Sequence, residues 1–482
     1  MLLKDLLKNS KYSLVKGSED VEIKNLCYDN RKVKDGDLFL CVKGFKVDGH
    51  SFIEDAIEKG AKVIVLEEDK NIDADVTIIK VDNTRKALAE MSSNFFNNPK
   101  DKLKIIGITG TNGKTTSAFI IKSILEKAGK KVGLIGTIAN YIGDKKIHTE
   151  RTTPESFELH ELFAEMVKEG VEYCVMEVSS HSLDLYRVYG IEFEVGIFTN
   201  LTRDHLDFHK TFDNYYNAKF KLFKNSKLSL VNLDDSYGER VLEDLNKNKL
   251  DKVTFSINKN SEFKAYEVKS SSNGSEFKLD INNNSEKFII NIPGLYNVHN
   301  ALGCILTAYK LGIDLEFIKE GISNVTIPGR CEMVAKERNL PYSIIIDYAH
   351  TPDGLENILE TIKGFAKGRI ITVFGCGGDR DKVKRPQMGE IACKLSDIAV
   401  VTSDNPRTEE PMAIINDIIN GLNYDNYMVV EQRYDAIEKA MSIAKKDDVI
   451  LIAGKGHETY QILATGTIDF DERKVVYEIL DK

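Results

Sequence analysis

Short apolar runs, each closed by glycine, asparagine or proline and followed by a stretch of helical spacing, recur along almost the whole chain. In the first hundred residues this pattern predicts strands at Asp37–Lys43, Lys62–Leu66 and Val76–Val81, with helices at Ser51–Lys59 and Thr84–Phe96. Further on, Ile105–Ile108, Tyr173–Glu177, Val195–Thr199 and Leu228–Asn232 alternate with helical stretches, the order of a mostly parallel sheet. Phe263–Val268, Phe277–Ile281 and Phe288–Ile292 have polar turns between them and predict a small antiparallel patch, then a helix at Tyr296–Leu311. Strands at Ser343–Asp347, Arg369–Phe374, Ile398–Ser403, Tyr427–Glu431 and Val449–Ala453 predict a second, Rossmann-like doubly wound unit. Asn97-Asn98-Pro99 and Ile327-Pro328-Gly329 read as boundaries, so the expectation is an α/β protein of three domains at 1–98, 99–328 and 329–482. No internal repeat stands out, and the one low-complexity trace is the Ser270–Ser275 turn.

Composition narrows the class. Apolar residues make up 42% and charged residues 29%, ordinary for a globular protein. A net charge of −9 argues against a broad nucleic-acid surface, so anionic ligands need local cations. Seven scattered cysteines without a CxxC pair suggest neither a disulfide framework nor a zinc site. The opening MLLKDLLKNS lacks a signal-peptide core, and no apolar run could span a bilayer, so the expected location is cytoplasmic, without a membrane partner.

The chemistry starts at Lys104–Thr116, KIIGITGTNGKTT. A buried strand, a glycine turn and a helix start in that order form a phosphate cradle, in which backbone N–H groups and the helix dipole meet the oxygens. Lys114 would reach the β/γ-phosphates, and the Thr115 hydroxyl would ligate Mg²⁺. The general pattern has its first glycine where Ile108 stands. Ligands of such sheets gather at the carboxyl ends of strands, and those ends are polar here. One delivers Glu177 and Val178-Ser-Ser-His181; the next delivers Asn200-Leu-Thr-Arg-Asp204-His205-Leu-Asp207. A carboxylate and an imidazole at that place can hold Mg²⁺ or its waters. In the last unit the ends are Asp347–Gly354, the cation-studded glycine turn Gly375–Pro386, Ser403–Arg407 and Ala453–Glu458. Forked arginine donors there suit carboxylate or phosphate.

These residues resemble one family, the Mur ligases, ATP-dependent enzymes that build the peptide of bacterial cell-wall precursors. TGTNGKTT, MEVSSHSLDLYR, NLTRDHLDFH, YNVHN, PGR, DYAHTPDG, FGCGGDRDKVKRP and SDNPR match it in order, over about residues 28 to 460. Within the family the chain looks like the ligase that adds the third residue to UDP-N-acetylmuramoyl-L-alanyl-D-glutamate. Asp404-Asn405-Pro406-Arg407 is similar to the version used where that residue is meso-diaminopimelate. The resemblance implies a cytoplasmic monomer with ATP and Mg²⁺, acting in peptidoglycan synthesis and hence in cell shape and division. It implies that Gly110, Thr111, Asn112, Gly113, Lys114, Thr115 and Thr116 hold ATP together with Asn297 and Asn300. Arg330 and Asp347 would be presented from the C-terminal domain. Thr115 and Glu177 would bind one Mg²⁺, His205 would help hold a second, and Lys219 matches a lysine carbamylated in the family. Tyr28, Asn30, Phe45–Val47, Thr152, Thr153, Ser179, Leu185 and Arg187 match the UDP-sugar site of the N-terminal domain and its neighbour. Asn30 replaces the usual serine, Lys46-Val47 the usual Gln-Ala, and Leu185 a glutamine of some relatives. Arg380, Asp404, Asn405, Pro406, Arg407, Gly454 and Glu458 match the amino-acid pocket. Three alternatives remain: lysine addition, a folylpolyglutamate synthase-like reaction, and a nucleotide switch. No guanine-reading Asn-Lys-x-Asp, expected of a GTP-driven switch, follows a predicted strand in the P-loop unit.

Overall fold

The computed structural model describes residues 1–44, 47–271 and 274–482. Three large sheets follow one another along the chain. The first has five strands in the spatial order Tyr12–Lys16, Thr77–Val81, Val63–Leu66, Leu38–Leu40, Leu26–Cys27, all parallel except the first. Its inner strands are almost wholly buried, as their unbroken apolar runs require. Tyr12–Lys16 escapes the sequence reading because it is an edge strand with most of its side chains in solvent. Asn83 caps the helix Thr84–Phe95 by accepting from the Lys86 N–H.

The central sheet has nine strands, and Lys104–Thr109 lies in its middle. Phe193–Phe198 flanks it on one side and Tyr173–Glu177 on the other, both parallel. Glu177 pairs with Ile108, and Phe198 with Thr109, so three carboxyl ends open at one level. The helix Lys114–Lys127 then buries Ile120, Ile121, Ile124 and Leu125 against the sheet and the helix Leu315–Ser323. Gly321 lets those helices touch, since a β-carbon there would collide with the Ile124 backbone. Val132–Ile135 and a hairpin, Asn140–Ile142 with Lys145–Ile147, extend one edge. The strand expected at Phe263–Val268 is two: Phe263–Lys264 ends the central sheet, and Tyr266–Ser271 joins Gly274–Ile281 and Asn284–Ile290 in the antiparallel patch. Ala265 divides them, buried between the two sheets. Ser272 and Asn273, in the low-complexity turn, lie outside the described residues.

The last sheet has six strands in the order Glu332–Val334, Ser343–Asp347, Val449–Ala453, Ile370–Phe374, Ile398–Val401, Tyr427–Val429. All but the first are parallel. Val449–Ala453 is inserted between strands that precede it in sequence, so the strand order reverses beside it. Such a reversal leaves a crevice at the carboxyl edge. A hairpin, Tyr460–Leu463 with Gly466–Asp469, and a helix, Glu472–Leu480, complete the chain. All seven cysteines are free and buried. No helix among the described residues is long and apolar enough to cross a membrane.

His160, on the helix Ser156–Lys168, is fully buried edge-on to Phe163, and neither ring nitrogen has a hydrogen-bond partner. Burial above all, and Lys100 beside it, push its pKa down from 6.5 to about 3. The unfolded chain therefore takes up a proton that the fold refuses, and the contribution to stability, full above about pH 6.5, is lost as the pH falls. At about 1.36 kcal/mol per pH unit, going from pH 7 to pH 5 removes about 2 kcal/mol through this residue. Urea denaturation at both pH values is expected to show His160→Leu losing about 2 kcal/mol less than the wild type. Equal losses in the two proteins would contradict the assignment.

Candidate active site

The carboxyl ends of the central and last sheets face a common cavity of about 430 Å³. Gly110 and Gly113 both adopt positive φ, at 157° and 86°. A β-carbon at Gly110 would collide with the Thr199 hydroxyl, and one at Gly113 with the Asn300 amide. The turn is held from the neighbouring strand end: Asn112 N–H donates to Asn200 Oδ1 at 2.8 Å, and Thr111 N–H to the Asn200 carbonyl at 3.0 Å. Lys114 Nζ lies over the turn, donating to the carbonyls of Gly110 and Thr111 at 2.8 Å each. Desolvation lowers its pKa, opposed chiefly by Glu177 and Asp204.

Glu177 is buried at the base of the turn. It accepts from Thr115 Oγ1 at 3.0 Å, and from both the N–H and the hydroxyl of Thr137 at 3.0 Å. A carboxylate beside two hydroxyls is an all-oxygen donor set, which fits a hard divalent cation such as Mg²⁺. His205 stands across the cavity with φ of 53°, its Nε2 3.3 Å from Asp204 Oδ2. Desolvation outweighs Asp204 and lowers its pKa to about 4, leaving the imidazole neutral and able to ligate. Lys219 is buried on the helix Phe212–Lys224, with Nζ 2.8 Å from the Gly110 carbonyl and 4.6 Å from the Tyr215 ring centroid. Burial first and Lys114 second hold its pKa well below the usual lysine value.

The last sheet supplies the opposite wall. Asp347, at a strand end, accepts from the backbone N–H of Cys331 at 2.7 Å and of Ala349 at 2.8 Å. Those bonds pin the Pro328-Gly-Arg330 turn, so that Arg330 stacks on Tyr348 with 4.7 Å from guanidinium carbon to ring centroid. Arg330 Nη2 reaches Thr115 Oγ1 at 3.5 Å, and Asn112 Nδ2 donates to Asp353 Oδ2 at 2.6 Å. The two sheets thus touch through the P-loop itself. Asn297 and Asn300 line the same cavity from the helix Leu295–Lys310.

A second cavity of about 520 Å³ continues from the first, sharing Asp204, His205, Tyr348, His350, Thr351 and Asp353. Arg380, Asp404, Asn405, Arg407, Gly454 and Glu458 line it; Pro406 is not among its lining residues. Asn405 Nδ2 donates to Glu458 Oε2 at 2.9 Å. Arg407 Nη1 donates to the Gly378 carbonyl at 2.9 Å, from a backbone held at φ of 53°. A non-glycine residue in that region is strained, and such strain clusters at ligand clamps.

The residues matched to the UDP-sugar are divided. Thr152 and Ser179 line the first cavity, and the Thr153 hydroxyl donates to the Glu177 carbonyl at 2.8 Å. Arg187 Nη2 pairs with Glu155 Oε1 at 2.9 Å, and Tyr28 OH donates to Glu158 Oε1 at 2.6 Å, bridging the first two sheets' units. Asn30 donates instead to Asp55 within its own unit, and Leu185 ends the short helix Ser180–Asp184. Phe45 and Lys46 lie outside the described residues; Val47 is exposed.

Three family models match the chain in succession. Residues 22–96 match the Mur ligase family catalytic domain, 108–308 the Mur ligase middle domain, and 329–456 the Mur ligase glutamate ligase domain. A ligase of Clostridium perfringens named UDP-N-acetylmuramoyl-L-alanyl-D-glutamate–2,6-diaminopimelate ligase is 69% identical, covering all of both chains. The chain is a Mur ligase. A Clostridium tetani protein of the same name is 59% identical over the whole length of both chains. A solved structure with that name superposes with a TM-score of 0.72 and 27% identity, covering 100% of this chain and 99% of the other.

Several residues of this Mur ligase site carry no role in the sequence reading. Thr137 grips Glu177 from a loop that has no motif to mark it. Asp353 and His350 stand inside the Asp347–Gly354 cluster but are assigned nothing there, and Lys455 is passed over in Ala453–Glu458 in the same way. Arg385, in the turn read as a cationic recognition loop, is fully buried. It pairs with Glu409 and Asp417 at 2.8 Å each, so it holds the loop rather than meeting a ligand. Outside the site, Asp48, His50 and Glu68 approach one another, yet both His50 nitrogens are engaged, by Asp48 at 2.6 Å and the Glu67 N–H at 3.2 Å.

Gly113→Ala is expected to cut ATP affinity at least tenfold, because the methyl group both strains a positive φ and displaces Asn300. Calorimetric titration with ATP, alongside an unchanged far-UV spectrum, reads this; wild-type affinity would show that the turn does not hold the nucleotide.

Proposed function

We propose that this Mur ligase joins meso-diaminopimelate to the D-glutamate side-chain carboxylate of UDP-N-acetylmuramoyl-L-alanyl-D-glutamate, with ATP converted to ADP and phosphate. The carrying observation is the continuity of the two cavities: a P-loop in one, and Arg407 among Asp404, Asn405 and Glu458 in the other. The clostridial relatives are named for this reaction. The three domains of the reading, 1–98, 99–328 and 329–482, would bring the UDP-sugar, ATP and the amino acid respectively.

A carboxylate is a poor electrophile, so its oxygen first displaces ADP at the γ-phosphorus, giving an acyl phosphate. The P-loop amides and Lys114 hold the β- and γ-phosphates while charge moves onto the β–γ bridging oxygen. Arg330 adds positive charge from the opposite wall, and Asp347 positions it through the Cys331 N–H. Thr115 with Glu177, and His205 with Lys219 as its carbamate, would hold two Mg²⁺ ions. Bound there, Mg²⁺ neutralises phosphate oxygens. Thr152, Thr153, Ser179 and Arg187 would orient the UDP-sugar peptide. The amine then attacks the acyl carbon, the tetrahedral adduct expels phosphate, and the amine proton is released. The rate gain comes mainly from position and charge neutralisation. A cytoplasmic monomer that meets no nucleic acid and no membrane suffices for these substrates.

Lysine addition is the second reading. Diaminopimelate carries one carboxylate more than lysine, and Arg407 can grip it with two donors. Phosphate release with a panel of diamino acids tests the proposal: turnover should require the UDP-dipeptide and be highest with meso-diaminopimelate. Turnover indifferent to both substrates would refute it. Arg407→Ala should weaken diaminopimelate addition by the worth of a desolvated charge pair, on the order of 2–5 kcal/mol in kcat/KM, with ATP binding unchanged. Equal loss of both would make the arginine structural.

Lys219 is buried beside Lys114, where an ammonium is disfavoured, and a neutral amine can take up CO₂ to form a carbamate anion. Lys219→Ala is expected to lose at least a hundredfold in kcat and to recover in part with added formate or acetate. Wild-type turnover by the untreated variant would discard the carbamate.

A further inference from the structure

Lys455 is a lysine with no exposed side-chain surface, placed directly behind the second cavity. Its Nζ donates to Asn405 Oδ1 at 2.9 Å and to Glu458 Oε2 at 3.1 Å, and lies 3.6 Å from Asp404 Oδ1. Asn405 Nδ2 closes the ring by donating to the same Glu458 oxygen. One ammonium therefore ties together three side chains that come from two strand ends. A second buried cation lies below it. Arg433 pairs with Glu472 at 2.7 Å, and donates to the carbonyls of Ala453 at 2.7 Å and Ser403 at 3.4 Å, the last residues before the two loops. Gly454 lies at the same junction, where a β-carbon would meet Asp404 Oδ2 at 2.8 Å.

The charges in this cluster do not cancel. The carboxylates of Asp404, Glu458 and Glu472 face the cations of Lys455 and Arg433, which leaves one negative charge. Both cations are fully buried behind the wall, whereas Asp404 and Glu458 line the cavity. On this stretch of the cavity wall the cluster therefore leaves one net negative charge, held in place from behind, and Arg407 lines the same cavity. A single fixed anion beside a fixed guanidinium is complementary to one ammonium and one carboxylate on one carbon, the zwitterionic head of an amino acid.

We propose that Lys455 is a positioning residue of the amino-acid pocket: it fixes Glu458 and Asn405 in place and leaves the Asp404–Glu458 cluster with the one negative charge that receives an ammonium group. This rests on the reading of the second cavity as the diaminopimelate site. Without Lys455, two carboxylates would face each other across the pocket floor, and Glu458 would lose the partner that sets its rotamer.

Steady-state kinetics of the full-length enzyme tests it, with Lys455→Gln compared with Lys455→Arg. The glutamine variant is expected to raise KM for diaminopimelate at least tenfold, with KM for ATP and for the UDP-dipeptide within twofold of wild type. Retention of the cation in the arginine variant should recover at least part of the loss. An unchanged KM for diaminopimelate, or an equal rise in all three constants, would overturn the role. Should Lys455→Gln fail to fold, the charge-balanced pair Lys455→Gln/Glu458→Gln is compared with Glu458→Gln alone. The added change should then raise KM less than threefold, because Lys455 acts through Glu458; a further tenfold rise would contradict it. If wild type does not use diaminopimelate at all, the reading of the cavity fails first, and that result is distinct from the others.

Discussion

Mutual repulsion is the constraint on this molecule: a triphosphate must be brought against a carboxylate, and both are anions. Positive charge has to be concentrated between them, away from water, where it is strongest. The fold does this by aiming the carboxyl ends of two separate sheets at one cavity. Lys114 and the P-loop amides come from one sheet, Arg330 from the other, and the two meet at Thr115 and Asn112. Neither wall alone supplies both the cradle and the opposing cation. Docking of the last unit on the P-loop is therefore part of the chemistry, not only of the architecture.

Burying charge is costly unless each group is paired and hydrogen-bonded. The site follows that rule closely. Glu177 has three donors, Asp347 has two backbone N–H groups, and Arg433 has Glu472 and two carbonyls. Lys219 is less well served, with one carbonyl and an aromatic face for partners and a second lysine nearby. That imbalance is the observation behind the carbamate proposed at this lysine. Lys455 shows the other solution, a buried cation placed so that neighbouring carboxylates keep only the charge a ligand needs.

Much of this was legible in the sequence wherever a backbone requirement forces a residue type. The P-loop reads because only glycine tolerates φ of 86° at Gly113 beside Asn300, and the strand before it reads because it is buried on both faces. The Asp347–Gly354 cluster, read as a polar strand end, also opens a helix, because Thr351 accepts from the Gly354 N–H and proline suits the first turn. What stayed hidden is what long-range packing decides. Tyr12–Lys16 is too exposed to show alternation, and Val132–Ile135 is too short and is interrupted by Gly133. Thr137 meets Glu177 only after the sheet has assembled. The burial of Arg385 and Lys455 reverses the surface role their charge suggests.

The central claim is that the P-loop cavity delivers the γ-phosphate to a carboxylate, and the fate of oxygen tests it most directly. UDP-N-acetylmuramoyl-L-alanyl-D-glutamate labelled with ¹⁸O in the glutamate side-chain carboxylate, turned over with ATP and diaminopimelate, should give inorganic phosphate carrying one ¹⁸O atom by mass spectrometry. Phosphate free of label, with the amide product formed, would mean that the carboxylate never received the phosphoryl group, and would contradict the account.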